Sequence, residues 1–307
     1  MTELMRAAAF TEPGGPEVLK VMELPAPQAG PGQVRVRVRA AGVQPFDTAV
    51  RAGWLPPYIE EASYPRIPGN EFAGVVDQVG TGVSGVAVGD EVLGFSKLFS
   101  YAEYVVVPGT DVAPKPAGVP WEVAGGLTAG VQTAELAIDG LGLAAGETLL
   151  VHGAAGSVGT AAVQIARRRG ATVIGTAREV NHDYLRALGA VPVVYGDGLA
   201  DRVRALAPGG VDAALDGAGG HALEVSIELV ENPGRVVTLV EHAKAAGLGV
   251  QVVQGERTAE RLGRYARLCA EGEFAFAIRR AYRLEEAADA HREMEAGHGQ
   301  GKIVLTI

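Results

Sequence analysis

The chain has 307 residues and a single cysteine, Cys269. One thiol excludes an internal disulfide and any multi-cysteine metal site. Within RYARLCAEG, an amphipathic helical pattern, it reads as a small core residue. Aromatics make up only 6% of the chain. No run approaches the roughly 18 consecutive apolar residues of a membrane span. Basic residues are outnumbered, 27 Lys and Arg against 36 Asp and Glu for a net charge of −9, which argues against an extended footprint for nucleic acid. The short run Arg167-Arg168-Arg169 closes an apolar-periodic segment and reads as a helix end favoured by the dipole. The first residues, MTELMRAAAFTEPGG, carry acids and no apolar leader, which predicts a cytoplasmic protein.

What is present is ample apolar content, 48% hydrophobic with 21% charged, in a length that suits two domains. The first third is β-rich. VRVRVRA (34–40) alternates Val34, Val36 and Val38 with Arg35, Arg37 and Arg39, the period of a half-buried strand. FAGVVDQVG, DEVLGF and YAEYVVVP follow between Gly and Pro turns, with no crossover helix of useful length. This predicts an antiparallel or barrel-like unit, with the Pro-rich APKPAGVP (113–120) as a seam. Beyond it, apolar strands alternate with helical patterns: ETLLVHG, TAAVQIARRRG, ATVIGTAR, HDYLRALGA, VPVVYG, ADRVRALA, VDAALDGAG, HALEVSIELVENPG and RVVTLV. That alternation predicts a doubly wound parallel sheet and an α/β fold. The tail, AIRRAYR to GKIVLTI, returns to short strands around one helix and can rejoin the first unit.

HGAAGSVGTAAVQIA joins the first strand of this sheet to its first helix. Gly153, Gly156 and Gly159 are spaced G-x-x-G-x-x-G. Glycines there let the backbone turn tightly, approach a pyrophosphate and pack helix on strand, while Ser157, Val158 and Gly159 open the helix and offer its first N–H groups to the anion. The plain alternative is an ordinary strand-to-helix turn. The second strand ends Gly175-Thr176-Ala177-Arg178, where an NAD site would place an acid for the ribose hydroxyls. With no acid at Thr176 or Ala177, and with Arg178 available to a 2′-phosphate, NADPH is favoured over NADH. Glu179 follows and can neutralise Arg178.

These pieces resemble the medium-chain dehydrogenase/reductase superfamily, and within it the metal-free quinone oxidoreductases related to zeta-crystallin. The resemblance rests on AAGVQPFD (40–47), PGNEFAGVVDQVGTGV (68–83), VGDEVLGF, YAEYVVVP, GLTA (126–129), HGAAGSVG, VDAALDGAG and GKIVL (301–305), in this order over nearly the whole chain. It implies a GroES-like barrel domain, 1–120 completed by 276–307, beside a Rossmann domain at 121–275, with the active site in the cleft between them. Zinc-dependent relatives hold their metal at positions that here fall on Gln44, Asn70 and Ala124, and their proton-relay hydroxyl falls on Phe46. Gln44 and Asn70 are poor zinc ligands and Ala124 is none, so no metal is expected. The lobe that holds a four-cysteine structural zinc in those relatives is also missing.

The resemblance further implies an NADPH-dependent reductase of quinones or α,β-unsaturated carbonyls. Gln44 and Asn70 are candidate donors to the substrate oxygen, and Tyr58, in the loop GWLPPYIEEASYPRIPG, is either a substrate contact or a loop anchor. Thr128 is placed near the nicotinamide, and Gly217, Ala218 and Val240 at its ribose and ring. Asp47 reads as a structural hydrogen-bonding residue, Tyr101 and Tyr104 as packing residues, and His152 as a strand-end residue. A homodimer is implied by analogy. Two alternatives stay open: an enoyl-thioester reductase of a polyketide or fatty-acid pathway, and a non-catalytic NADPH-binding protein, a sensor or crystallin-like.

Overall fold

Strand β3 (Gln33–Val43) shows how the alternation predicted from VRVRVRA is realised. Val34, Val36 and Val38 point into a core, while Arg37 and Arg39 face outward. Arg35 departs from this pattern: it is 5% exposed, because Asp77 holds its Nε and Nη2 at 2.9 and 2.8 Å and the Tyr104 ring lies under it. Tyr104 thus packs against cations and not only against carbon. The structure, a computed structural model, describes residues 3–56, 59, 64–297 and 299–307. Contacts divide the chain into two units. Unit 1 comprises 1–128, 257–298 and 302–307; unit 2 comprises 129–256 and 299–301.

Unit 1 begins with the hairpin β1 (Leu4–Ala9) and β2 (Lys20–Pro25), then β3 and the helix α1 (Pro45–Arg51). β4 (Glu71–Val79), β5 (Glu91–Phe95), β6 (Tyr104–Pro108) and β7 (Val112–Pro114) follow. β3 is long enough to serve several partners: β4 along one side, β6 against its first half and the C-terminal strand against its last residues. β4 pairs with β5, and β5 with β7, all antiparallel. The core between them is built from Val34, Val36, Val38, Phe72, Val76 and Val105. Burying a side chain of this kind is worth about 1.5–3 kcal/mol.

The helix α2 (Trp121–Leu141) divides between the units after Thr128. The bounds expected from sequence, 120 and 276, therefore both fall inside unit 1. The reason is packing: Gly125 lies so close to β3 that a Cβ would stand 2.6 Å from the Ala40 carbonyl oxygen.

Unit 2 alternates β8 (Thr148–His152), α3 (Ser157–Arg168), β9 (Thr172–Thr176), α4 (His182–Ala187), β10 (Val191–Val193), α5 (Leu199–Leu206), β11 (Ala213–Asp216), α6 (His221–Leu229), β12 (Val236–Thr238), α7 (His242–Leu248) and β13 (Gln251–Val252). All its strand pairs are parallel, in the order β10-β9-β8-β11-β12-β13. The chain winds outward from β8 through β9 and β10, then returns to β11 on the other side. The reversal between β8 and β11 is the switch point at which doubly wound sheets form ligand crevices. Leu150, Ile174, Val203, Ala214 and Val236 fill the core of the unit.

The chain then re-enters unit 1 as α8 (Ala259–Ala270), β14 (Ile278–Arg283), α9 (Ala287–Ala296) and β15 (Lys302–Thr306). β15 pairs antiparallel with β3 and parallel with β14, so the C-terminal segment extends the sheet of unit 1 beyond β3. Among the described residues no helix is long and apolar enough to cross a membrane.

Candidate active site

In unit 1 the register brings one end of three neighbouring strands together. Val43 of β3 pairs with Ile303 of β15, and Ala41 pairs with Phe72 of β4. Gln44, just after β3, therefore meets Asn70 and Glu71 at the start of β4 and Lys302 at the start of β15. Gly69, at φ +92°, makes the left-handed turn that delivers Asn70 to this point. The Asn70 carbonyl accepts from Ser96 N at 3.1 Å and Arg257 Nη1 at 3.3 Å, which fixes its backbone.

Gln44 and Asn70, the two amides singled out from sequence, are hydrogen-bonded to each other: Gln44 Nε2 donates to Asn70 Oδ1. Lys302 Nζ donates to Gln44 Oε1 at 3.0 Å and pairs with Glu71 Oε1 at 2.5 Å, the Lys302 and Glu71 side chains being 1% and 0% exposed. The pair occupies space kept open by glycines. A Cβ on Gly42 would run into the Glu71 carboxylate and stand 2.8 Å from Lys302 Cε, and one on Gly126 would stand 2.8 Å from Lys302 Cγ.

Behind the amides lies a second chain of polar groups. Asp47 Oδ2 accepts from Gln44 N at 3.0 Å, tying the first turn of α1 to its N-cap, and from the Tyr101 hydroxyl at 2.9 Å. Asp47 Oδ1 is buried with no hydrogen-bond partner among the described residues. Burial lifts the Asp47 carboxyl to about 7, against the pull of Lys302. His291 Nε2 is 3.4 Å from the Tyr101 oxygen and its Nδ1 is 3.3 Å from Arg51 Nη1. Burial and the Arg51 charge push His291 down to about 3, so it is neutral. Tyr101, expected to pack, also bonds Asp47. Lys302 and His291 were not anticipated; the only signal was one lysine heading an otherwise apolar strand, KIVLT. Thr128 Oγ1 is buried and donates to the Gly94 carbonyl at 3.1 Å. Phe46 meets Trp54 edge-on. Tyr58 lies outside the described residues.

In unit 2 the glycine turn follows β8. Gly153 takes φ +69° and Gly156 is the N-cap of α3, so Ser157, Val158 and Gly159 form the first turn, whose N–H groups have no helical acceptor. Gly159 lies against the turn itself: a Cβ there would be 2.6 Å from Ala154 Cα. Gly217 and Ala218 leave β11 beside it, with Gly217 N donating to the His152 carbonyl at 3.3 Å. Both are exposed, as is Val240 beyond β12. These residues thus gather at the carboxyl ends of β8, β11 and β12.

Asp216, not singled out from sequence, organises this rim. Its Oδ1 accepts from Ala218 N and Gly219 N at 2.9 and 2.7 Å, and its Oδ2 from the Thr238 hydroxyl at 2.8 Å. Thr176 is turned into the fold, where its hydroxyl accepts from Gly153 N at 3.3 Å and lies 3.3 Å from His152 Nδ1. Burial pushes His152 down to about 4, as befits a strand-end residue without charge. Arg178 is exposed at the end of β9.

Residues 30–117 match the alcohol dehydrogenase GroES-like domain, and residues 188–305 match the zinc-binding dehydrogenase family. The rat (Rattus norvegicus) quinone oxidoreductase is 31% identical over 99% of this chain and 98% of its own length. The chain belongs to the medium-chain dehydrogenase/reductase superfamily. The solved structure of the quinone oxidoreductase from Coxiella burnetii superposes with a TM-score of 0.88 at 28% identity, covering 99% of this chain and all of that one. A polyketide synthase, GfsB of Streptomyces halstedii, is 35% identical over 90% of this chain, a segment that makes up 5% of the synthase. Among the described residues there is no group of three His, Cys, Asp or Glu side chains that could hold a metal ion.

Proposed function

We propose that the protein transfers hydride from NADPH to a quinone or an α,β-unsaturated carbonyl without a metal ion. The observation that carries this reading is the Gln44–Asn70 amide pair with the Lys302 ammonium against it. Neutral amides are poor zinc ligands, Ala124 offers no donor, and an ammonium 3.0 Å from Gln44 Oε1 repels a dication. An amide N–H can instead donate to an oxygen on which negative charge develops, with no proton to titrate. Quinones and enones take hydride without strong Lewis-acid polarisation and suit such a donor.

When bound, the nicotinamide cofactor supplies the hydride. The first turn of α3 would hold its pyrophosphate; Gly217, Ala218, Val240 and Thr128 would serve its ribose and ring. Arg178, with no carboxylate at Thr176 or Ala177, would take the 2′-phosphate that distinguishes NADPH. A homodimer is proposed on family likeness, to be read by light scattering.

Stopped-flow mixing of the NADPH-loaded protein with a panel of small quinones and enones tests this reading. Accelerated loss of NADPH absorbance is expected, and no acceleration on any acceptor overturns it. The polyketide synthase match favours a second reading, reduction of an enoyl thioester. A pantetheine crotonyl thioester reduced faster than every quinone and enone would select it. Tight NADPH binding without turnover on any acceptor would select a binding protein.

A further inference from the structure

We propose that Lys302 is a positioning residue whose buried ammonium sets which way round the Gln44 and Asn70 amides sit, so that Asn70 presents N–H, not oxygen, to the acceptor. The inference rests on the reading just given and adds a residue to it.

An ammonium has three donors and no acceptor. Gln44 must therefore turn Oε1 toward Lys302 Nζ, at 3.0 Å. Its Nε2 is then left to face Asn70 and donates to Asn70 Oδ1. With Oδ1 occupied, the remaining polar atom of the Asn70 side chain is Nδ2, which makes no hydrogen bond within the described residues. Reversing Gln44 would set its NH2 against the ammonium. Asn70 would then have to turn as well, and a lone pair would replace the N–H as the group left over. The sign of one buried charge thus fixes the polarity of an atom two residues away, and each bond in the series polarises the next.

Lys302 can do this because it has little freedom to do anything else. Glu71 Oε1 holds it at 2.5 Å, the β15 register fixes its backbone, and Gly42 and Gly126 leave room for its stem and no more. Gln44 is also held through its backbone, N to Asp47 Oδ2 at 3.0 Å.

The test compares the wild-type protein with Glu71→Met/Lys302→Met, which removes both charges together and leaves no orphaned carboxylate. NADPH-dependent reduction of 1,4-benzoquinone is measured alongside NADPH affinity by fluorescence titration and the melting temperature. The expected result is a fall in kcat on the order of 100-fold, the scale for losing one preorganised donor to a developing oxyanion. KM and NADPH affinity should hold within about threefold, since the donor acts mainly in the transition state. Lys302→Arg, which keeps a donor-only cation, should retain kcat within about tenfold of wild type. A folded double variant with kcat within about twofold of wild type overturns the proposal, as does equal loss in the Arg and Met variants. If the double variant melts below the assay temperature, Glu71→Gln/Lys302→Gln is judged by the same kcat criterion. A wild-type protein that reduces none of the quinones or enones with NADPH refutes the functional reading itself, which is a different outcome from a wild type that turns over and a variant that does so equally well.

Discussion

Asp47 offers the sharpest check on the electrostatics of unit 1. Its carboxyl is buried, and burial raises it to about 7; Lys302 and the bond from the Tyr101 hydroxyl oppose the rise, Glu71 adds to it, and the N–H of Gln44 opposes it. In an unfolded chain an aspartate titrates near ~3.9. The native state therefore keeps a proton that the unfolded state gives up as pH climbs from about 4 to about 7. Stability from this group is fully present below the unfolded value and is lost as pH rises through the folded one. Each unit of pH removes about 1.4 kcal/mol, so about three units remove roughly 4 kcal/mol. Asp47→Asn mimics the protonated carboxyl: its oxygen can accept from Gln44 N and Tyr101, and its NH2 takes the place of the unpartnered Oδ1. The variant should gain on the wild type by about 1.4 kcal/mol per unit up to pH 7 and by nothing further above it. His291 and His152, lowered by burial to about 3 and about 4, work in the opposite direction. They lend stability above the ordinary histidine range and withdraw it as pH falls, but they are common to both proteins and cancel in the difference. Urea unfolding followed by tryptophan fluorescence is the assay, because both tryptophans, Trp54 and Trp121, lie in unit 1. A difference that stays flat from pH 4.5 to 8 would show Asp47 ionised throughout, with Lys302 outweighing burial, and the reasoning would be wrong.

Gly159→Ala would drive a Cβ into backbone atoms of the turn, 2.6 Å from Ala154 Cα, and should weaken NADPH binding at least tenfold by fluorescence titration while costing about 1–3 kcal/mol of stability. Arg178→Ala should raise the Kd for NADPH about tenfold, the worth of one charge-assisted hydrogen bond, and leave that for NADH unchanged in the same titration. Gly42→Ala would displace the Glu71 carboxylate from Lys302 and should cost about 3–5 kcal/mol in urea unfolding, as for a broken buried ion pair. Asn70→His should bind no stoichiometric zinc by elemental analysis, because Ala124 cannot complete a site and the Lys302 ammonium remains.

The elements legible in the sequence were those whose pattern repeats over several residues. The valines of β3 and the strand–helix alternation of unit 2 both follow from one face, or both, being covered by carbon, and periodicity reports that directly. Helices α1 and α7, of seven residues each, were not read from the sequence, although α4, shorter still at six residues, was. Strand β13, with two residues, is too short to show an alternation. At the sites, what could be read was residue identity in a loop: the glycine turn before α3 and the amides at 44 and 70. What could not be read was the partner that gives each its chemistry. Lys302 in a strand reads as a solvent-facing cation, and Arg35 likewise. Each is buried because an acid meets it, Asp77 from the adjacent β4 for Arg35 and Glu71 from β4, across the intervening β3, for Lys302, and that meeting is set by register. Thr176 shows the converse, a residue that its place at a strand end marked as a cofactor candidate but whose hydroxyl accepts from Gly153 N. A charge in the core costs several kcal/mol unless it is paired, so its position is decided by the pair and not by its own hydrophobicity. Single-residue patterns are blind to that term, and the buried Lys302–Glu71 pair is where it brings an ammonium against the Gln44 amide oxygen.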